Sequence, residues 1–429
     1  MTSDTAAPAT APAAEAAEPE QPEPTPLTRP AGGVPDVSVT AAQIGAAAEL
    51  LAGGRGPFAV DAERASGFRY SNRAYLIQIR RAGAGTVLID PVGNDDEPVA
   101  LLRPIAAVLG EDAWILHAAD QDLPCLAELG MRPPALYDTE LAGRLAGFDR
   151  VNLAAMVQRL LGLGLAKGHG AADWSKRPLP AAWLNYAALD VEVLIELRHE
   201  VAAVLAEQGK SDWAAQEFDY LRTAGIADAG VPTRRDRWRR TSGIHKVRDR
   251  RGLAAVRELW TVRDQIAQRR DIAPGRILPD SAIIAAATVD PTTVEGLVAL
   301  PVFGGPRQRR SASTWLAALT AARETAHPPQ TVEPSNGPPP AARWGRRKPE
   351  AAARLAAVRT ALTEVSERVS VPTENLVAPE LIRRLCWEWN LAAAADAAAE
   401  IEEFLRTGQA RDWQRGLVVS ALASALSGS

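Results

Sequence analysis

The chain has 429 residues, of which 47% are hydrophobic and 23% are charged, so it can bury sizeable cores and we expect about two to four folded units. Its net charge of −4 argues against a uniformly basic nucleic-acid binder, and its two cysteines, Cys125 and Cys386, are too far apart in sequence for a CxxC zinc module. No apolar run approaches the ~20 residues that span a bilayer, and the first residues lack the order of a secretion signal, so we expect a cytoplasmic protein without membrane contact.

Composition shifts mark three segments that we do not expect to form cores. Residues 1–34 are rich in Ala, Pro and Glu with almost no bulky apolar side chains, which predicts a disordered tail. Residues 327–348 are rich in Pro and predict an extended linker. Residues 227–250 are interpreted as a basic linker, whose run RRDRWRR (234–240) either contacts RNA through charge and Trp238 or is merely solvated. The expected folded units are 35–226, 251–326 and 349–427.

The predicted secondary structure changes from mixed to helical along the chain. In the first unit the order is β-β-β-α-β-α, at residues 57–63, 74–80, 86–91, 98–109, 113–118 and 120–129. After residue 130 only helical patterns follow, including a long one at 180–208. The segment 251–326 holds four or five short helical patterns, which indicate a compact bundle, and a similar order recurs in 349–427.

Two carboxylates end the first predicted strand. Asp61 and Glu63 stand two residues apart in FAVDAER, so the two-residue period of a strand places them on one face. Two anions within ~7 Å repel each other, and a confined pair is tolerated best when a cation lies between them. The DxE pattern alone is nevertheless more typical of a solvated strand face.

Two further acids follow in predicted helices. Asp122 starts the helix after strand 113–118, where Asp120 is a rival that would make a satisfactory helix cap. Tyr186 and Asp190 are four residues apart, so they lie one above the other on a helix face. A phenol held one turn from a metal-binding carboxylate can orient or deprotonate a water molecule, although Tyr186 alone would be typical of a core aromatic. Four acids with a tyrosine at this spacing favour a metal site.

These residues resemble the three motifs of the DEDDy exonucleases and, among them, of the ribonuclease D family. The first motif, an apolar strand ending in DxE, is similar to VDAE (60–63). The second, HxxxxDLxxL, is similar to HAADQDLPCL (117–126), and the third, YxxxD, to YAALD (186–190). The stretch most specific to ribonuclease D is KGHGAADWSKRPLP (167–180). The helical segment that starts at residue 251 resembles an HRDC domain, and the last segment resembles a second, divergent one.

The resemblance implies a ribonuclease H-like α/β exonuclease domain, with a mixed sheet flanked by helices, followed by two all-α HRDC-like helical bundles. It implies 3′→5′ hydrolysis of RNA to 5′-mononucleotides with two divalent ions, Mg²⁺ or Mn²⁺. Asp61 would bridge the ions, and Glu63 and Asp190 would complete the shell of the ion that binds the attacking water. Asp122 would support the second ion, and Tyr186 would position the water. The implied partner is RNA with a single-stranded 3′ end, such as a tRNA precursor, bound by a monomer.

Four basic side chains are candidates for contacts to a substrate: His117, Lys167, Arg177 and Arg307. His117 ends a predicted strand, Lys167 and Arg177 precede the third motif, and Arg307 follows a glycine pair at a helix start. A structural role or a solvated loop is the alternative for these positions. Two rival functions also stay open, a DNA exonuclease of the same fold and a non-catalytic nucleic-acid-binding protein with an inactivated nuclease fold.

Overall fold

A computed structural model describes residues 23–92, 97–166, 168–227, 236–331, 337–390 and 396–427. Within them a six-stranded mixed sheet with flanking helices is followed by two helical bundles, as predicted. The strands are β1 (Thr25–Leu27), β2 (Val37–Ser38), β3 (Arg55–Arg64), β4 (Ala74–Ala82), β5 (Gly85–Ile89), β6 (Trp114–Leu116), β7 (Leu136–Asp138) and β8 (Leu163–Leu165). No helix in these ranges combines the length and apolar character that a membrane span needs.

The helices fall into three groups along the chain. The sheet unit (residues 23–227) holds α1 (Ala41–Ala52), α2 (Pro98–Leu101), α3 (Arg103–Leu109), α4 (Leu123–Glu128), α5 (Thr139–Leu145), α6 (Leu153–Leu161), α7 (Ala181–Glu192), α8 (Leu194–Glu207) and α9 (Ser211–Ala227). The first bundle holds α10 (Arg250–Arg270), α11 (Pro274–Ile277), α12 (Asp280–Val289), α13 (Val294–Val298), α14 (Pro306–Arg310) and α15 (Ala312–Glu324). The second bundle holds α16 (Trp344–Arg347), α17 (Pro349–Val369), α18 (Thr373–Leu376), α19 (Pro379–Glu388), α20 (Ala397–Thr407) and α21 (Asp412–Ser427).

β3 lies in the middle of the six-stranded sheet, whose order is β2-β5-β4-β3-β6-β7. It pairs antiparallel with β4 and parallel with β6. Phe58, Ala59 and Val60 are all fully buried although successive side chains alternate between the faces, so both faces of β3 are covered. Because β3 and β6 are parallel, their carboxyl ends lie at the same edge of the sheet, which brings the segments after both strands together.

Three features of the sheet unit correct the predicted elements. β7 and β8 have three residues each, too few to show a two-residue period, where the sequence predicted only helices. The predicted helix 180–208 is two helices, α7 and α8, that meet at Val193. Residues 23–34 do not belong to a disordered tail, because β1 pairs in parallel with β8 and Leu27 packs against the core. Residues 1–22 of the predicted tail lie outside the described residues.

The first bundle has a hydrophobic core of its own, which includes Phe303 and Trp315. Part of the predicted basic linker belongs to this unit, since Trp238 is 4% exposed and packs into that core. The indole nitrogen of Trp238 donates to Asp236 at 3.0 Å, so this ring is not available to stack on RNA. Residues 228–235 of that linker lie outside the described residues.

The second bundle shares one continuous hydrophobic core with the sheet unit. Trp344 is fully buried in this core, so the bundle begins within the predicted linker 327–348 and not at residue 349. Trp413 stacks on Trp213 of α9 with ring centroids 5.0 Å apart and an interplanar angle of 14°. Such offset aromatic pairs add to the burial of apolar area, so the two units are held as one body.

A buried ion pair reinforces this junction. Glu217 of α9 is 6% exposed and accepts from the Nε and Nη2 atoms of Arg411 at 2.6 and 2.8 Å. The indole nitrogen of Trp413 donates to the same carboxylate at 2.8 Å. A carboxylate removed from water is stable only when its oxygens are satisfied, so the second bundle supplies what Glu217 needs.

Glu217→Ala should therefore destabilise the protein strongly. The substitution leaves the Arg411 guanidinium without its partner at a buried junction, which costs roughly 3 kcal/mol of the free energy of unfolding. Asp219→Ala, on the same helix, removes an exposed pair with Arg222 and should cost less than about 1 kcal/mol. Urea denaturation followed by circular dichroism measures both, and equal losses would contradict the role given to Glu217.

Candidate active site

Three carboxylates converge at the carboxyl end of β3. Asp61 and Glu63 lie two residues apart on β3, and Asp190 lies on α7, which packs against that strand. An oxygen atom of each carboxylate lies within 4.8 Å of an oxygen of the others. We call these three residues the acidic cluster. The strand period puts the first two on one face, and α7 adds the third.

Asp122 lies beside the acidic cluster but is not one of the three residues that meet within 4.8 Å. It is 5% exposed and stands at the start of α4, directly after a 3₁₀ turn. The Nη2 atom of Arg64 lies 3.5 Å from its carboxylate. Asp120, the rival at this helix start, is exposed. The structure therefore brings together three of the four predicted acids tightly and holds the fourth next to Arg64.

Burial raises the pKa of each of these carboxyl groups. The pKa of Asp61 rises to about 6, and that of Glu63 rises to about 10 because neighbouring carboxylates add their charge to the effect of burial. The pKa values of Asp122 and Asp190 also lie well above the usual range, first from burial and then from the charge of Asp61. Arg64 opposes the shift at Asp61, Glu63 and Asp122. Arg64 alone does not offset four ionised acids, so a bound divalent cation would favour their ionised forms.

Tyr186 lies one turn before Asp190 on α7, and its hydroxyl lies next to the Asp190 carboxylate. Burial and the charges of the acidic cluster raise the pKa of Tyr186 well above its usual range. The side chain is therefore a neutral phenol at physiological pH and acts as a hydrogen-bond donor next to the cluster.

A segment that we call the glycine loop (residues 168–177) covers the ring of Tyr186. Gly168 passes so close that a Cβ atom there would overlap the ring, whereas a Cβ on Gly170 would meet the Tyr186 hydroxyl at an ordinary 3.5 Å. The His169 ring stands edge-on to Tyr186, with centroids 5.9 Å apart. In the sequence this stretch is recognisable only by its resemblance to ribonuclease D. Its two glycines were the sign that backbone packs closely on a side chain.

Arg177 is occupied by the protein itself, which contradicts its predicted contact with a substrate. Its guanidinium donates to both carboxylate oxygens of Asp90, at 2.5 and 2.8 Å. The same group donates to three backbone carbonyls, those of Tyr75, Trp174 and Lys176. With these donors used, Arg177 fixes the glycine loop to β4.

The other three predicted contacts have different outcomes. His117 has a ring nitrogen 2.9 Å from the Thr139 hydroxyl, and burial lowers its pKa to about 4, so its ring is neutral. Arg307 is exposed on the first bundle, where it donates to the backbone carbonyl of Arg276. Lys167 lies outside the described residues.

The sequence analysis missed Gln78 of β4, which lies opposite Asp61 in the β3–β4 ladder. Gln78 is fully buried, and neither polar atom of its amide has a hydrogen-bond partner among the described residues. Cross-strand neighbours of this kind point to the same face of a sheet. The amide side chain of Gln78 inside the apolar run AYLIQI was the sign in the sequence of a special role.

Glu63→Gln should stabilise the metal-free protein at alkaline pH. Since folding raises the pKa of Glu63 to about 10, this carboxyl favours the folded state below its ordinary pKa and loses that effect as pH rises towards 10. A neutral amide keeps its effect at every pH. We therefore expect the melting temperature of Glu63→Gln at pH 8 with chelator to exceed that of the wild type by about 2 °C or more. The difference should be smaller at pH 5. The exposed Glu128→Gln serves as the control. A lower melting temperature of Glu63→Gln at pH 8 would show that ionisation of Glu63 does not destabilise the folded protein.

Family comparisons divide the chain as the structure does. Residues 38–206 match the model of a 3′-5′ exonuclease and residues 252–319 match that of an HRDC domain. Residues 337–426 match a 3′ to 5′ exonuclease C-terminal domain, a description separate from HRDC, and that start agrees with the burial of Trp344.

Relatives extend the comparison to most of the chain. A ribonuclease D of Jannaschia is 33% identical over 248 residues, 56% of this chain, but the chain spans only 61% of that relative. A ribonuclease D of Nitrobacter hamburgensis is 30% identical over 307 residues, 71% of this chain and 73% of the relative. A crystal structure of a protein from Bifidobacterium adolescentis, 38% identical, covers 95% of this chain and 100% of its own with a TM-score of 0.83. The chain belongs to the ribonuclease D family.

Proposed function

We propose that this protein is a 3′→5′ exoribonuclease that hydrolyses RNA from its 3′ end to 5′-mononucleotides with divalent metal ions. The observation that carries the proposal is the convergence of Asp61, Glu63 and Asp190 within 4.8 Å, with Tyr186 one helical turn from Asp190. In a member of the ribonuclease D family, this arrangement supports metal-assisted phosphodiester hydrolysis.

The donor set fits Mg²⁺ or Mn²⁺. Carboxylate oxygens are the ligands that these hard cations prefer, and the three carboxylates are placed close together in a buried setting that raises their pKa values. Bound divalent cations would supply an activated water and charge stabilisation for the leaving oxygen. Asp61, Glu63 and Asp190 would hold one cation.

Asp122 and Asp61 would hold a second cation. After burial, the charge of Asp61 is the largest influence on the pKa of Asp122 and also on that of Asp190. Asp61 is therefore the charged neighbour that the other two acids share, which supports its role as the shared ligand of a two-metal site. Arg64, 3.5 Å from Asp122, keeps that carboxylate oriented before a cation binds.

Tyr186 acts on the attacking water through position. Its neutral phenol lies next to Asp190 and is packed under the glycine loop, so the hydroxyl has a defined place next to the acidic cluster. A donor fixed in this way can hold the oxygen of a water in line with a phosphorus atom. The raised pKa of Tyr186 in the metal-free protein favours this orienting role over removal of the proton.

The first bundle supports a substrate with a folded body, such as a tRNA precursor with a 3′ extension. Arg269, Arg270, Arg307, Arg309 and Arg310 are exposed on it. Guanidinium groups attract phosphates whatever the base sequence, so this surface suits the RNA backbone. The 3′ tail would reach the acidic cluster while the body of the RNA rests on the bundle.

Asp61→Asn should abolish metal-dependent release of mononucleotides from a 3′-extended structured RNA. Tyr186→Phe should lower the rate by roughly 10² to 10⁴, because the water loses its orienting hydroxyl. The exposed Asp149→Asn is the matched control and should leave the rate unchanged. Product lengths on a gel report the polarity of degradation. The rate on a DNA strand of the same sequence tests whether the enzyme prefers ribose to deoxyribose. A wild-type rate in Asp61→Asn would refute the assignment.

Gly168→Ala should reduce the rate at least about tenfold. The added methyl overlaps the Tyr186 ring, and relief of such overpacking at a cost of ~1–3 kcal/mol must move the ring or the loop. Gly170→Ala meets the Tyr186 hydroxyl at ordinary contact distance and should keep most of the rate. Initial rates with the same RNA compare the two variants, and equal rates would show that the loop does not fix Tyr186.

A further inference from the structure

The residues between β3 and β4 join the first bundle to the acidic cluster. We call residues 65–73 the connecting loop. It begins directly after the strand that carries Asp61 and Glu63, and it turns at Gly67, whose φ of 81° is open to glycine but strained for other residues. Its two ends are therefore fixed by β3 and β4, and the position of its middle depends on the residues that contact it.

Backbone groups of the connecting loop bond to the first bundle. The Nε atom of Arg276 donates to the Gly67 carbonyl at 2.7 Å, and its guanidinium lies 4.0 Å over the Phe68 ring. The amide of Ala273 donates to the Phe68 carbonyl at 3.0 Å. The amide of Ser71 donates to the Asp271 carboxylate at 2.8 Å. Three main-chain groups and one ring are thus held by α11 and the turn before it.

Tyr70 of the same loop belongs to the bundle. Its ring packs against the hydrophobic core of the first bundle, and its hydroxyl donates to Asp264 at 3.2 Å. The bundle therefore holds the connecting loop by packing as well as by hydrogen bonds. An attachment of this kind is more than a tether that lets the bundle move freely.

Phe68, two residues earlier, packs on the sheet unit. It packs in the small hydrophobic cluster that contains Trp174, Trp183 and Tyr186. Arg69 donates to the Ser175 hydroxyl of the glycine loop at 2.8 Å. The connecting loop consequently contacts the hydrophobic cluster against which Tyr186 also packs, and the glycine loop that covers the Tyr186 ring.

We infer that the first bundle positions Tyr186 for the reaction, with Arg276 and Asp271 as positioning residues that act through the connecting loop. The inference rests on the proposed function and adds a role for the bundle other than holding RNA. Release of Arg276 frees the Phe68 ring, and the aromatic cluster then loses one wall. The Tyr186 hydroxyl is held less well against Asp190, so turnover falls even when the substrate never touches the bundle.

The test uses the 4-nitrophenyl ester of a nucleoside 5′-monophosphate, a substrate of one nucleotide whose hydrolysis is read from released nitrophenolate. Arg276→Ala and Asp271→Ala in the full chain should each lower kcat roughly tenfold with little change in KM. Arg276→Lys and Asp271→Asn keep part of the contacts and should recover part of the rate. Arg323→Ala, at the end of α15 in the same bundle, removes a pair with Asp290 that does not involve the connecting loop and should leave kcat unchanged.

The same substitutions in a Tyr186→Phe background separate positioning from general damage. If the bundle acts through the phenol, Arg276→Ala should cost much less in that background, since the hydroxyl that it positions is already gone. An equal loss in both backgrounds, or an unchanged kcat in Arg276→Ala, would overturn the inference. A wild-type protein that cleaves neither this ester nor RNA would instead contradict the proposed function.

A second measurement needs no activity. Hydrogen exchange followed by mass spectrometry should show faster exchange in residues 65–75 and 168–188 of Arg276→Ala than of Arg323→Ala. Unchanged exchange in 168–188 would overturn the inference even if the proposed function holds.

Discussion

Mutual repulsion among Asp61, Glu63 and Asp190 is the constraint on which the rest of the structure depends. At separations of at most 4.8 Å and an effective dielectric of ~20, each pair of ionised carboxylates costs at least about 3 kcal/mol. Left to itself, a flexible site would spread these groups into water. They stay together because β3 is covered on both faces and α7 is packed against it. The rigid frame therefore holds together carboxyl groups that ionise readily only when a cation binds.

The acids and Tyr186 could be found from the sequence because their spacing follows the period of a strand and of a helix. Partners distant in sequence could not be found in this way. The residues around Arg177 in the sequence do not indicate a partner for its charge. Only the structure shows that Asp90, 87 residues earlier, accepts hydrogen bonds from its guanidinium. Trp238 stands in a basic run, yet it is buried because residues near it fold onto the first bundle. The sequence predicts the type of each side chain and its local period but not what lies across from it.

Short elements set the other limit. β7 and β8 pair through main-chain groups over three residues each, so their identity depends on neighbours and not on their own side chains. The same holds for the two bundles, whose helical patterns are alike while their attachments differ. One meets the sheet unit mainly through hydrogen bonds and two aromatic rings of the connecting loop, and the other completes its hydrophobic core. Periodicity indicates an apolar face without saying which surface covers it.

The shared core has a consequence for how the protein is made. A ribosome releases the sheet unit first, then the first bundle, and last the residues that bury α9. Until Trp413 emerges, the apolar face around Trp213 has no cover, whereas the first bundle can close its own core as soon as it is synthesised. Newly made chains thus pass through a stage with an exposed apolar surface on the part that carries the acidic cluster, which is the kind of surface that chaperones bind.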